Sequence, residues 1–576
     1  MDVAGVKVKD APPEPSTSER LRDAGVEAST SASLTERWRA EIRAQLNLSL
    51  PIVASNLLMV SMQMTDLAFI GRVGKDELGA AALGNTVFYL LHYPMIGAMT
   101  AVDTLLATAH GASMPAAYGE YTQVGMAFVT ACCVPIGTSM LFVEHLLRGI
   151  EQDPKLARLA GAFCKHLAWS LFPYYWTQVL TKYLQAQHVL APPVYVGIVA
   201  NCANVFLNWL LIFHLGWGFE GAPIATGACR WFQLVCLFAY LQVSRVERAR
   251  DTNPTGGFFL FVRAAFFVPN IFVPKPNEPI NDDGAWRSKK PAEDVSRAET
   301  SSAARLQLKR NGTVSSASAR ARLRVLFPTF GALAGPGAFM MAVEAWAFEI
   351  TTLLAGYLGT VPLDAHLTML QLATLAFLSL PFAVAVASTI RVGNLLGAGR
   401  PRAAKTAGGV TFLVCFAFTG VVGIVFSVCR DQLGRVFTDD RGVIDAVSKI
   451  APIAALFQLA DGGQAAAGGV FRGMGRQKTV AARNFLGFWV FGMPVGATLT
   501  FACGVGLAGL WWGLVVGLTV VTLVSLCQLA FVDWERETRD AARRVANETL
   551  ESARRLSLDG FATDAHRRDG NEGPTV

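Results

Sequence analysis

Charged side chains are scarce in this chain. Only 16% of its 576 residues are Asp, Glu, Lys or Arg, where soluble domains carry about a quarter. That excludes an ordinary solvated surface over most of the length. Several catalytic signatures are missing as well. There is no GxSxG or HExxH, so neither a serine hydrolase nor a zincin is indicated. The ten cysteines show no CxxC and no Cys/His spacing and lie in or beside apolar segments. They read as small core hydrophobes, without a disulfide framework or a metal site. The glycines of RVGNLLGAG (391–399) lack the Lys-Ser/Thr ending of a phosphate loop, so no ATPase is implied. Residues 1–45 carry many charges and no apolar core, which leaves no cleavable signal peptide to expect.

What the chain does have is apolar length. Hydrophobic residues make up 52% and mean hydropathy is +0.38, and a spanning helix needs about 20 apolar residues. Twelve stretches qualify: 48–70, 79–107, 122–145, 159–181, 190–214, 220–241, 326–356, 363–390, 408–429, 447–471, 483–503 and 506–532. The expected fold is an all-α polytopic membrane protein of twelve transmembrane helices. Its regions are a tail over 1–45, a six-helix lobe over 46–244, a linker over 245–324, a second six-helix lobe over 325–532, and a tail over 533–576. The linker carries a net charge equal to that of the whole chain, +7, and its Pro, Ser and Asn content reads as disordered. Within it, 256–273 is apolar but interrupted by Arg263 and Pro269. It reads as a helix lying in the interface, ahead of a thirteenth span.

Basic residues set the orientation. Arg391, Arg400, Arg402 and Lys405 follow the eighth stretch, and Arg472, Arg476, Lys478 and Arg483 follow the tenth. Even-numbered turns, and with them both termini and the linker, are expected to be cytoplasmic. The sequon at Asn311 would then escape glycosylation. No aromatic-interleaved basic patch accompanies the positive charge, so no nucleic-acid partner is expected.

The halves echo one another. Gln187/Gln477, Asn201/Asn484 and Gly221/Gly509 recur at similar offsets. Six spans per copy gives both copies one orientation, related by a pseudo-two-fold along the membrane normal, with a cavity between the lobes.

The candidate functional residues are polar groups at membrane depth, where a charge costs roughly 2.5–3.5 kcal/mol on insertion scales. Glu344 lies mid-span in GPGAFMMAVEAWAFEI, and Asp461 in APIAALFQLADGGQ. Neither has a Lys or Arg partner within its own span. A carboxyl in such a place can exchange its proton for a cation, as an antiporter requires. Gln464 lies one turn from Asp461 and can donate to a carboxylate or a cargo molecule. Gly462 and Gly463 allow a ligand or another backbone to come close. Glu349 sits about 140° round the helix from Glu344. Asp66 is near the end of its span, where a capping role competes with a functional one. Asp103 reads as a structural acid. Asn201, Asn204 and Asn208 form a polar stripe aimed at a cavity or a neighbouring helix. Trp346 and Tyr175 are the rings chosen to face an organic cation through their π faces.

Taken together, these stretches resemble the MATE (multidrug and toxic compound extrusion) family, its eukaryotic branch in particular. The matching stretches include DELGAAALG (76–84), VDTLLATAHGA (102–112), KYLQAQHVLAPPV (182–194), PGAFMMAVEAWAFE (336–349), RVGNLLGAGR (391–400) and GGVFRGMGRQK (468–478). The resemblance covers about 46–245 and 320–532. It implies a secondary active exporter exchanging H+, less readily Na+, for an organic cation or other metabolite, with no cofactor. It implies roles in coupling and binding for Glu344, Glu349 and Asp461. Gln371 stands where that branch carries a further Glu, and Thr108 where a Gln is near-standard. Asp66 resembles the first-helix Asp of prokaryotic relatives, and Asn204 and Asn208 fall on their fifth-helix Asn/Asp pair. The expected partners are a small organic cargo and the lipid bilayer, around a monomer in the plasma or vacuolar membrane. An organic-anion exporter or a lipid-linked precursor flippase of the same architecture is the alternative. The flippase calls for a basic cavity, whereas the intramembrane charges singled out above are acidic.

Overall fold

A computed structural model describes residues 34–250 and 316–544, and among them every regular element is helical. The apolar 256–273 stretch and the Asn311 sequon lie outside the described residues. Among the described residues, eleven helices are long and apolar enough to cross a membrane. In chain order the principal helices are α1 (Leu34–Ile70), α2 (Lys75–Gly111), α3 (Pro115–Leu141), α4 (Pro154–Ala168), α5 (Leu171–Ala186), α6 (Ala191–Asn208) and α7 (Gly221–Arg250). In the second half come α8 (Ser316–Gly356), α9 (Thr360–Ser379), α10 (Pro381–Gly397), α11 (Pro401–Val428), α12 (Arg441–Gly473), α13 (Gln477–Phe485) and α14 (Leu507–Ala530), so that α7 ends and α8 begins inside the 245–324 stretch expected as linker. A last helix, α15, occupies 534–544.

The expected fourth span, 159–181, is not one of the eleven. It is divided at Trp169–Ser170 into α4 and α5. Pro173 has no N–H to return to the Trp169 carbonyl, so the helix cannot run through. Ser170 instead turns its hydroxyl onto Leu167 O at 2.7 Å. Pro381 separates α9 from α10 in the same way.

The two halves share an unusual device. α6 passes into a π-helical segment at Trp209–His214, and α13 does so at Leu486–Gly492 and again at Thr498–Ala502. π-Turns are rare and concentrate at functional sites. Here the Trp209 and Leu486 segments begin just beyond a buried asparagine, Asn208 and Asn484.

The halves meet where α2 crosses α8 and α10. A Cβ added to Gly97 would lie 2.1 Å from Gly337 O, and one on Gly111 would lie 2.0 Å from Asn394 O. Backbone therefore touches backbone, an approach that only small residues permit in a bilayer. Toward the Gly111 end, Thr104 Oγ1 donates to Arg472 O at 2.7 Å, and Gln477 Nε2 donates to Thr104 Oγ1 at 2.8 Å. Asn394 Nδ2 pairs with His188 Nε2 at 2.9 Å. This closed end carries the basic turns after α10 and α12. Gly111→Val is expected to force it apart, since overpacking of a tight contact costs about 1–3 kcal/mol. The measurement is the rate of maleimide labelling at Thr108→Cys, a site only 3% exposed, with the exposed Cys202, Cys429, Cys503 and Cys527 replaced. Labelling should rise roughly tenfold.

α1 starts at Leu34, well inside what composition reads as a tail. Glu41 and Gln45 near its start bind the second lobe, Asp66 near its end binds α6 and α7 of the first, and Pro51 lies between them. Arg391 donates from Nε to Glu41 Oε1 at 3.0 Å and from Nη2 to Oε2 at 2.9 Å. Gln45 Nε2 donates to Ala407 O at 2.7 Å. Those contacts account for Glu41, which faces protein; Glu36, Arg37, Arg39 and Arg43 on the same stretch are exposed.

Candidate functional site

Two carboxylates, one per half, sit in matching surroundings. In the second half, Glu344 on α8 accepts on Oε2 from Gln464 Nε2 of α12 at 2.8 Å and from Asn484 Nδ2 of α13 at 3.1 Å. In the first, Asp66 on α1 accepts on Oδ1 from Asn208 Nδ2 at 2.8 Å and Asn204 Nδ2 at 3.1 Å, both on α6. Its Oδ2 accepts from the Thr226 hydroxyl of α7. Asp66 is only 8% exposed, so it is a buried network member and not a helix cap. The amide oxygens of Asn204, Asn208 and Asn484 accept no hydrogen bond. Each half thus offers a carboxylate flanked by oxygen acceptors without donors, a hard-oxygen setting suited to a proton or a small cation. The repeat reading paired Asn201 with Asn484. In space Asn204 and Asn208 hold the corresponding place, while Asn201 accepts from Ser61 Oγ at 2.7 Å.

Asp461 is 5% exposed, and no hydrogen bond or ion pair to it exists among the described residues. Glu344 is the nearest group to act on it electrostatically. The glycines beside it serve a purpose other than ligand access. A Cβ on Gly462 would meet Thr419 at 2.6 Å, and one on Gly463 would meet Thr522 at 2.4 Å. They let α12 sink between α11 and α14, which buries Asp461. Gln464 does donate to a carboxylate, that of Glu344 across the helix boundary.

Glu349 is half-buried, with no hydrogen bond among the described residues. It lies five residues beyond Glu344 on α8, about 140° round the helix. Two predicted rings are placed otherwise. Tyr175 is fully buried with its hydroxyl 2.9 Å from His92 Nδ1, so its face is packed in the first lobe and unavailable to cargo. Trp346 is 39% exposed and lies about 200° round α8 from Glu344, on the side away from the carboxylate network. Asp103 is structural as expected, held by Lys182 Nζ at 2.5 Å.

Sequence reasoning missed four participants. Asn484 entered only as a repeat echo, and Thr226 carried no signal. Arg472, at the end of α12, is 9% exposed and acts on Glu344 and Asp103, so Glu344 has a cation within electrostatic reach beyond its own helix. Arg230, on α7, is a base inside the 220–241 span. Its position within an apolar run was the available signal.

A two-halved bundle of membrane-crossing helices with a buried carboxylate network in each half defines a membrane transporter rather than an enzyme. The MatE family model matches residues 51–210 and 336–498, more than half of the chain, and the chain belongs to the MatE family. It is 29% identical over 534 residues to multidrug and toxin extrusion protein 2 of Mus musculus, covering 92% of this chain and 82% of that one. It is 28% identical over 528 residues to protein DETOXIFICATION 16 of Arabidopsis thaliana, covering 91% and 94%. Among solved structures, the eukaryotic MATE transporter AtDTX14 superposes with a TM-score of 0.71 at 25% identity, over 88% of this chain and 100% of that one. The Vibrio cholerae transporter VcmN superposes with a TM-score of 0.66 at 15% identity, over 87% and 99%.

Proposed function

We propose that this protein exports an organic compound, foremost an organic cation, by exchange for H+ across the plasma or vacuolar membrane. Na+ is the second choice of ion. The lobes 46–244 and 325–532 alternate between two open states, with the termini and the basic, closed end facing the cytoplasm. The observation that carries this reading is the pairing of two acids at membrane depth in the second half, the half-buried Glu344 held by Gln464 and Asn484 and the buried Asp461 without a partner among the described residues. Two neighbouring carboxyls at that depth resist ionising together, so a proton on one and a cation against the other are alternatives. Entry of H+ at Glu344 and Asp461 weakens the cargo contact and releases it, a differential affinity for the two lobe arrangements. Asp66 and its asparagines offer a parallel station in the first lobe.

The test is uptake of a radiolabelled organic cation into proteoliposomes under a pH gradient and then under a Na+ gradient. Accumulation driven by pH supports H+ exchange, and accumulation driven only by Na+ reassigns the ion. Asp461→Asn is expected to lower the pH-driven initial rate about tenfold, the loss of one charge-assisted contact. A rate equal to wild type would remove Asp461 from the mechanism.

A further inference from the structure

Arg230 is a guanidinium set in the membrane-spanning part of the first lobe, and its surroundings are those of a binding group. Its Cζ lies 4.6 Å from the Tyr174 ring centroid and 5.4 Å from that of Phe88. Nη1 donates to Ser170 Oγ at 2.9 Å, the hydroxyl freed where α4 breaks from α5. Guanidinium carries five N–H donors in a planar fork, and among the described residues that hydroxyl is the only hydrogen-bonding partner. The obvious counterion is already occupied. Arg230 lies one turn beyond Thr226 on α7, yet Asp66 takes its three donors from Asn204, Asn208 and Thr226 and forms no ion pair with Arg230. The ring cage holds the guanidinium plane and leaves its outer N–H groups unspent.

The charge also has a direction. Phe88 of its ring cage has a centroid 5.6 Å from that of Tyr89, and Tyr89 and Tyr93, one turn apart on α2, have ring centroids 5.9 Å apart. Tyr93 in turn lies one turn before Gly97, which packs on Gly337 and Met341 of α8, one turn before Glu344. A row of half-buried phenols therefore connects a fixed cation in the first lobe to the carboxylates of the second.

We infer that Arg230 is the anion-binding pole of the cargo cavity, and that the cargo is a zwitterion: an aromatic body with a cationic group for Glu344 and Asp461 and a carboxylate for Arg230. This rests on the export reading above and narrows its cargo class. A carboxylate meets the unspent edge of the guanidinium in a bidentate fork, and a flat ring system slides along the phenols.

The test uses two dyes sharing one xanthylium cation. Rhodamine B carries a free benzoate, and its ethyl ester does not. Proteoliposomes holding wild-type protein, Arg230→Gln or Arg230→Lys are given each dye under the same pH gradient. The ratio of initial rates, rhodamine B over ester, should fall about tenfold in Arg230→Gln, the worth of one charge-assisted contact. Arg230→Lys should keep most of it. A ratio unchanged in Arg230→Gln, including a parallel fall of both rates, overturns the proposal. If wild-type protein moves neither dye, that counts against the export reading, and fluorescence anisotropy on the purified proteins in detergent decides Arg230 separately. Rhodamine B binding weakened about tenfold in Arg230→Gln supports the anion pole. Equal affinity overturns it.

Discussion

Glu344→Gln is expected to lower pH-driven export about a hundredfold, near the upper value of a hydrogen bond to a charged group. The substitution is nearly isosteric, so Gln464 and Asn484 keep an oxygen acceptor at the same place. What is lost is the group that can bind and release a proton. The fold should be retained, because Glu344 is joined to its neighbours by amide donors and not by an ion pair. Initial rates in proteoliposomes, alongside an unchanged elution profile in detergent, separate these effects. Asp66→Asn should be measured beside it, since Asn204 and Asn208 give Asp66 the same kind of support. A hundredfold loss at Glu344 with a small one at Asp66 assigns coupling to the second lobe. The opposite result moves it to the first.

The second large effect concerns stability. Glu41 and Arg391 form a two-pronged ion pair at 7% and 8% exposure, joining the first half of α1 to the second lobe. Glu41→Ala leaves a buried guanidinium without its counter-charge, and such losses run about 3–5 kcal/mol. A marked fall in the apparent unfolding temperature in detergent is expected. The double variant Glu41→Met, Arg391→Met should recover most of it, since apolar pairs of similar volume replace buried ion pairs at little cost. If the double variant were no more stable than Glu41→Ala, the pair would matter through something other than its charges.

Much of this architecture was legible in the chain because lipid simplifies the code. A run of apolar residues such as 408–429 has few alternatives to a spanning helix, and Glu344 and Asp461 stand out against such runs. The break in the 159–181 stretch was not legible, because an apolar window averages over Pro173, whose missing N–H divides it into α4 and α5. The start of α1 was misjudged for the opposite reason. Glu36, Arg37, Arg39, Glu41 and Arg43 look like a solvated tail until Arg391, far along the sequence, is seen to receive one of them. The same distance hid Thr226 from Asp66 and Asn484 from Glu344. Tyr175 and Trp346 stand near the mouth of the cavity that the sequence implies, but helix phase and packing decide where a ring points. Composition carries neither.

The ion pair that ties α1 to α10 also sets an order in time. Its partners are separated by 350 residues, which at 5–20 residues per second is roughly 20–70 seconds of synthesis. The first of the described helices to be made is among the last to find its full set of neighbours. Until Arg391 emerges, the half of α1 that bears Glu41 has no seat in the bundle. Any factor that shields that half during synthesis would have to let go only after the second lobe begins to assemble.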